Sequence, residues 1–500
     1  MGDPHSARPF DRFDAGLILA CAVFLYANLF ANPETPFLLA GDQMFFWMDG
    51  LRLLHGERVY RDFFQFTAPG TDLLYLGVFK LFGPRIWVTN LVVLVLNGSL
   101  CVLCLHISRS IMPRAQAALA TSLYLVLVLG MTLQGTHHLL SLVPTLGAVA
   151  VLMKGRTPAK IVIAGALLGV ATFITQTRGP VAALGFAAWM MWERSRTKEP
   201  PSSYLRQQVL LFAPLILTWL ILSSHYIATL GLRQILFFQV AYVCDYKVQG
   251  WTAGSTGFPD SFSRAMLLPL IGSFFAFVVL PIVYAICLWK CRRLSRESPD
   301  YDPRLGVLTA VGAALFLEIT PSPSWFRFYC VALPGVILLV WLVGGLGKLR
   351  LHAMRLLWIG VIGFAAYLTW SKHAHQSTIA ELPAGRVSTS PLSAEKLGWL
   401  AARTKPGQYM LQAEWPGMYL PLELRNPIYL DHVATEGASE LGYLALSLRQ
   451  LEAKPVQYIV QSPGYSVAAA FHDFLVRHYR LVWKFSDEDE IWERKPDGEP

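Results

Sequence analysis

The sequence predicts a polytopic α-helical membrane protein of about eleven spans followed by a small C-terminal α/β domain outside the membrane. Three observations carry that prediction. Hydrophobic residues fill 54% of the 500 positions and charged residues only 15%, against roughly 25% charged in soluble domains. The deficit is uneven: residues 1–371 are mostly apolar runs, whereas 372–500 read like an ordinary soluble sequence. Lys and Arg also collect on alternate loops between the runs, as the positive-inside bias requires.

A helix needs about 20 apolar residues to cross some 30 Å of hydrocarbon. Spans are expected near 15–33, 86–107, 115–131, 139–153, 161–177, 180–192, 208–229, 264–289, 304–320, 328–346 and 354–370. Arg8 and Arg12 precede the first run, and no small-residue cleavage site follows it, so it reads as an uncleaved anchor. With the N-terminus in the cytoplasm, the cytoplasmic loops become 109–114, 154–160, 193–206, 290–304 and 348–355, all rich in Lys and Arg. The loops 132–138, 177–179 and 321–325 fall on the opposite side and are nearly free of them. The C-terminal domain is then extracytoplasmic. Topology accounts for the net charge of +9, so no nucleic-acid partner is needed. Cys101 and Cys104 form a C-x-x-C inside a span, without His or carboxylate partners, and read as packing.

Two outer loops are long, and long loops in compact proteins are usually functional. In the first, 34–85, Met44, Trp47, Met48, Leu51 and Leu54 recur at helical spacing, which predicts an amphipathic helix lying in the interface. Asp42 stands at its start and Gly56 at its end, where helix caps stand. Ala68-Pro69-Gly70 breaks the chain, and 73–82 form a second apolar helix too short to span. The second long loop, 231–263, holds Phe237, Phe238, Tyr242, Tyr246 and Trp251, suited to the headgroup layer, and also Lys247. In the C-terminal domain, 408–412, 427–430, 457–461, 481–485 and 490–494 read as strands and 439–451 and 467–478 as helices.

Chemistry on a lipid-phosphate sugar needs a lipid-facing cavity, cations to hold the departing phosphate, and a carboxylate to take the acceptor's proton. Asp42 is the first candidate for that carboxylate; a plain helix cap is the structural alternative. Asp49, two helical turns on, reads as solvated or paired, and Asp62 as the local partner of Arg61. Arg52, His55, Arg58 and Arg61 crowd the first outer loop against the positive-inside trend, which invites an anionic partner. Arg178, at a tight outer turn, and Arg327, at the opening of the tenth span, either reach headgroups or hold a phosphate. His137 and His138 are adjacent, a spacing poor for zinc, so hydrogen bonding to substrate or loop stands beside a divalent metal as their role.

The order Gly41-Asp42-Gln43-Met44-Phe45-Phe46, then Gly56-Glu57-Arg58-Val59-Tyr60-Arg61-Asp62-Phe63-Phe64, Thr67-Ala68-Pro69-Gly70 and Phe82-Gly83-Pro84 resembles the first outer loop of the GT-C membrane glycosyltransferases. Residues 165–179, Arg327-Phe328-Tyr329 leading to Pro334, and an outer α/β domain after the last span extend the resemblance over most of the chain. These enzymes include bacterial transferases that add aminoarabinose to lipid A, and protein O-mannosyltransferases. Many of them carry Asp-Glu where this chain has Asp42-Gln43. The resemblance implies an inverting transfer from a polyprenyl-phosphate-linked sugar to a lipid, glycan or protein acceptor, at the outer face of a bacterial inner membrane. It implies Asp42 as base or acceptor-orienting group, and Arg58, Arg61 and Arg327 on the phosphate, with Arg178 a further cation of that kind. A transporter or flippase of lipid-linked or anionic substrates is the rival class. Such proteins usually show internal repeats and broken helices at mid-membrane, and neither is evident in this sequence.

Overall fold

A computed structural model describes residues 10–197, 200–244, 267–293, 302–320, 324–433, 442–462, 469–487 and 489–496. A helix overlaps each expected span, in whole or in part: Arg12–Leu29, Ile86–Arg109, Arg114–Thr132, His137–Leu152, Pro158–Ile174, Arg178–Thr197, Pro201–Leu230, Leu270–Arg293, Pro303–Ile319, Leu333–Gly344 and Arg350–His375. Among the described residues, six of these are long and apolar enough to cross a membrane, and several others are shorter apolar helices. The protein is an integral membrane protein with a C-terminal sheet domain. Tyr246, Lys247 and Trp251 lie outside the described residues.

Local sequence explains where several helices begin. Pro158, Pro201 and Pro303 open theirs, at positions whose N–H would lack a helical partner anyway. The side chains of Thr157 and Asp302 accept capping hydrogen bonds from Lys160 and Arg304. The expected tenth span is divided. Trp325–Tyr329 forms its own turn of helix, and the apolar helix starts only at Leu333. Pro334 is the reason: it has no N–H to give, and its ring collides with the carbonyl four residues earlier. Arg327 therefore sits on the short helix and not at the mouth of the long one.

The chain forms two compact units. The first comprises 1–26, 94–133 and 137–370. Its tightest packing rests on glycines. Gly165 and Gly169, one turn apart, face the backbone carbonyls of Leu211 and Leu215. A Cβ on Gly169 would come within 2.6 Å of the second carbonyl. Gly179 meets the carbonyl of Leu168 and the hydroxyl of Thr172 in the same way. Small residues at such spacing let membrane helices approach backbone to backbone.

The second unit comprises 27–93, 134–136 and 371–500, so the long first loop packs with the C-terminal segment. Helices Gln43–Leu54 and Gly70–Phe82 lie against each other at Gly50, where a Cβ would be 2.8 Å from that of Tyr75. Gly56, in the left-handed region at φ +89°, ends the first of them as expected. The sheet runs Leu411–Gln412, Tyr458–Gln461, Glu490–Arg494, Tyr479–Lys484. The first pair is parallel and the rest antiparallel. Helices Tyr443–Ala453 and Ala469–His478 match two expected helices; 439–441 and 467–468 lie outside the described residues. A hairpin, Thr378–Leu382 with Gly385–Thr389, and a helix, Pro391–Ala401, were not expected.

Two local expectations are corrected in this unit. Residues 427–430 are not a strand. Asn426 Oδ1 accepts the Ile428 N–H at 3.0 Å and Gln450 Oε1 accepts that of Tyr429 at 2.6 Å, while Tyr429 O accepts the Phe64 N–H at 2.8 Å. Side chains and a neighbouring loop satisfy this backbone, so no ladder is needed. The helix Gln43–Leu54 does not present a polar face to water. Gln43, Asp49 and Arg52 are buried along with Phe46, Trp47, Met48 and Leu51, because C-terminal residues such as Asn426, Ile428 and Asp431 cover the polar side.

Candidate functional site

In the second unit, Asp42 is half-buried immediately before helix Gln43–Leu54. Its backbone is already helical (φ −53°, ψ −24°), and its side chain makes no capping hydrogen bond to that helix. The simple cap role is thus excluded, because a capping residue needs extended backbone to turn its oxygen back onto the first N–H groups. Its neighbour Gln43 is buried and holds two loops: Nε2 donates to Ala40 O at 2.9 Å, and Oε1 accepts from Gly135 N at 3.0 Å. Where many relatives of the resembled group have a second acid, this chain places an amide with two structural bonds.

Phe45, three residues after Asp42, packs against two C-terminal rings. Phe45 lies 5.4 Å from Trp415 and 5.3 Å from His432, centroid to centroid. Burial pushes the His432 imidazole down to about 4, so it is neutral near pH 7.

The first-loop cations divide into two kinds. Arg58 and Arg61 are exposed on a turn in which Asp62 Oδ2 accepts the Arg58 backbone N–H at 2.9 Å. Arg61 pairs with Asp62 at 3.8 Å, an exposed contact worth little. Arg52 is buried. Its Nε donates to Glu57 at 2.8 Å and its Nη2 to the Ile428 carbonyl at 2.9 Å, and Nη1 lies 3.9 Å from Asp431. Its guanidinium also sits 4.7 Å over the Phe63 ring. Arg52 is therefore a buried cation bonded to both the first loop and the C-terminal segment.

Beneath this lies a second acid group. Asp49 and Asp72 are fully buried, one on each of the two loop helices, with Gln65 joining them. Burial first, then the neighbouring Asp431 charge, raises both carboxyls well above the ordinary range. Asp431 itself is pushed up to about 7 by burial, against the pull of Arg52.

In the first unit, Arg178 is fully buried. Its Nη1 donates to Glu318 Oε2 at 2.8 Å, and Thr177 donates to the other carboxylate oxygen. Arg178 Nη2 lies 3.4 Å from His138 Nδ1, and the rings of His137 and His138 stack at 3.9 Å. Thr175 donates to the His137 carbonyl at 3.0 Å. Both histidines thus belong to a polar network that ties three helices together. A guanidinium beside His138 opposes a second cation there. Among the described residues, no group of three or more His, Cys, Asp and Glu is placed to hold a metal.

Arg327, also in the first unit, is half-buried on helix Trp325–Tyr329, whose cap Ser324 accepts its backbone N–H at 3.2 Å. The neighbouring Phe328 stacks on Phe316 at 4.5 Å, which fixes that helix.

The candidates therefore belong to different units: Asp42, Arg58 and Arg61 to the second, His137, His138, Arg178 and Arg327 to the first. Sequence reasoning missed Glu318, although a carboxylate near the end of an apolar run is a signal in itself. It also missed Asp431, His432 and Trp415, which no periodicity or motif marks.

Comparison with known proteins finds the same architecture. The fold matches the crystal structure of ArnT from Cupriavidus metallidurans bound to undecaprenyl phosphate, with TM-score 0.63 over 97% of this chain and 98% of that one, at 13% identity. It matches the apo state of the same protein with TM-score 0.58, over 96% and 97% of the two chains at 14% identity. The Archaeoglobus fulgidus oligosaccharyltransferase, in complex with Zn and sulfate, aligns with TM-score 0.49 over 96% of this chain and 73% of that one, at 13% identity. No family model and no curated protein matches the sequence. The chain has the fold seen in the ArnT structures.

Proposed function

We propose that this chain is a glycosyltransferase that moves a sugar from a polyprenyl-phosphate donor to an acceptor at the outer face of the bacterial inner membrane, with inversion. One observation carries the reading: the near full-length likeness to a structure that holds undecaprenyl phosphate. The chemistry such a donor demands is simple. An acceptor hydroxyl attacks the anomeric carbon, the bond to phosphate breaks, and the configuration inverts in one displacement. The hydroxyl loses its proton as the new bond forms, so a carboxylate within hydrogen-bond reach is needed. The phosphate leaves as an anion, so fixed cations stabilise the transition state.

Asp42 is the base, or it orients the acceptor. Its half-buried place immediately before helix Gln43–Leu54, in the first outer loop, supports this. Arg58, Arg61 and Arg327 serve the phosphate. Arg178 is already neutralised by Glu318, so it acts by holding the histidine turn and not as a phosphate ligand. His137 and His138 line that turn and would meet the acceptor through hydrogen bonds. The outward-facing C-terminal domain follows from the loop charges.

The test is Asp42→Asn in purified, detergent-solubilised protein supplied with radiolabelled polyprenyl-phosphate sugars. Loss of a general base lowers turnover by roughly 10²–10⁴-fold. Full retained transfer by the variant would remove Asp42 from the mechanism, and a wild-type protein that uses no lipid-linked sugar would sink the enzyme reading.

A further inference from the structure

The pair Asp49–Asp72 is buried more deeply than any role in binding a substrate would ask. Asp49 lies on helix Gln43–Leu54, seven residues after Asp42, and Asp72 in the first turn of helix Gly70–Phe82. Neither has any exposed surface. Gln65 stands between them. Its Nε2 donates to Asp49 Oδ2 at 2.8 Å and lies 3.5 Å from both Asp72 oxygens.

The direction of that amide is fixed. Gln65 Oε1 accepts the backbone N–H groups of Phe66 at 2.9 Å and Thr67 at 3.0 Å, so Nε2 must point at the acids. One NH₂ group thus serves two carboxyls, and Asp49 Oδ1 is buried with no hydrogen-bond partner. A buried ionised oxygen in that state is costly, whereas a protonated one is not.

Among the described residues one cation, Arg52, acts on Asp49, and it faces Asp431 and Glu57 as well, so it does not balance every acid here. Its hydrogen bonds go to Glu57 and to the Ile428 and Asp62 carbonyls, and Asp431 lies 3.9 Å away. Asp431, facing both acids from the C-terminal segment, adds a like charge, with Glu57 behind it. Like charges in a dry site cannot all ionise. The first turn of a helix favours negative charge, so Asp72 is the better anion and Asp49 the better acid.

We infer that Asp49 and Asp72 keep a single proton between them under Gln65, and that this proton fastens the helix following Asp42 to helix Gly70–Phe82. Its loss puts a second uncompensated charge into the seam beside Gly50, where the two helices are closest, and loosens it. The seam is then a pH-sensitive latch: firm when the proton is held, weakened as pH rises. This stands apart from the glycosyltransferase reading, and its test needs no substrate.

The sign follows from linkage. The folded pair holds a proton that the unfolded chain has already released above about pH 4. Stability is therefore greatest at low pH and falls as pH rises through the pair's raised range. Full-length protein in detergent would be unfolded thermally from about pH 5 to about pH 9. Asp49→Asn, which is neutral and nearly isosteric, should unfold several degrees above wild type at the alkaline end and together with it at the acid end. Asp72→Asn should do the same, and the double variant should gain little more than either alone. An offset that does not change with pH, or a lower midpoint throughout, would overturn the latch. Hydrogen exchange of wild type reads it without any variant. Protection of 43–54 and 70–82, corrected for the intrinsic base-catalysed rate, should fall across the same range. Constant protection overturns the proposal even if both variants fail to fold.

Discussion

Arg178 and Glu318 form a buried ion pair. The guanidinium has no exposed surface and is bonded at 2.8 Å to the carboxylate. Removing one partner leaves the other buried and uncompensated, which costs about 3–5 kcal/mol. Glu318→Ala is thus expected to lower the unfolding midpoint sharply, and Arg178→Met combined with Glu318→Leu to lower it less; equal losses would argue against a buried pair. Two groups in the C-terminal segment predict opposite pH limbs. Glu414 is raised to about 8, by burial above all. It keeps its proton when folded, so its contribution is full below about 4.5 and is lost as pH rises toward 8. His432 is lowered to about 4 from an ordinary value near 6.5. Its contribution is present above 6.5 and is lost as pH falls toward 4. Glu414→Gln should flatten the alkaline side of the stability profile and His432→Gln the acid side, each measurable as midpoint against pH. At the residue scale, Asp42 stands out in the sequence as a candidate because it closely follows the first apolar run and precedes an apolar-periodic helix. Glu318 was legible too, as an acid in an apolar run, and was overlooked. Asp431, His432 and Trp415 were not legible, since only the folded chain brings them to the loop helix.

Helices in the first unit are distinguished by what their glycines face. Gly165 and Gly169 press on carbonyls of helix Pro201–Leu230, whereas Gly360 and Gly363 of helix Arg350–His375 have nothing within 4 Å of a built Cβ. Alanine at the first two sites forces backbone apart, at a cost of about 1–3 kcal/mol by overpacking. Alanine at the second two relieves helix entropy and should be neutral or stabilising. A thermal scan of the four variants checks both halves of that expectation. Helix existence was readable throughout, because apolar runs of membrane length admit little else. Boundaries were less so. The break before Leu333 was written in Pro334 but was hidden by the apolar residues on both sides. The failed strand at 427–430 had apolar pattern without the free backbone that a ladder requires, and the pattern could not reveal that Asn426 and Gln450 had already claimed it.

For the whole molecule, the loop charges make one prediction that geometry does not touch. Arg386 is exposed on the hairpin after the last span. In a variant with Arg386→Cys, a membrane-impermeant maleimide should label intact spheroplasts at that site; labelling only after lysis would reverse the topology. The fold class was readable because composition partitions so strongly along the chain. The grouping of the first loop with the C-terminal segment was not, since nothing in local sequence records a contact made hundreds of residues away.

That grouping has a consequence for how the chain is made. Arg52 finds its carbonyl at Ile428, 376 residues later in the sequence. At roughly 5–20 residues per second, the ribosome needs about 20–75 s to cover that distance. Throughout that interval the loop carries a cation, two acids and a row of aromatic side chains whose cover has not yet been synthesised. Either the loop waits unfolded at the membrane surface or an assembly factor shields it. The last stretch of the chain to emerge completes the first one to cross.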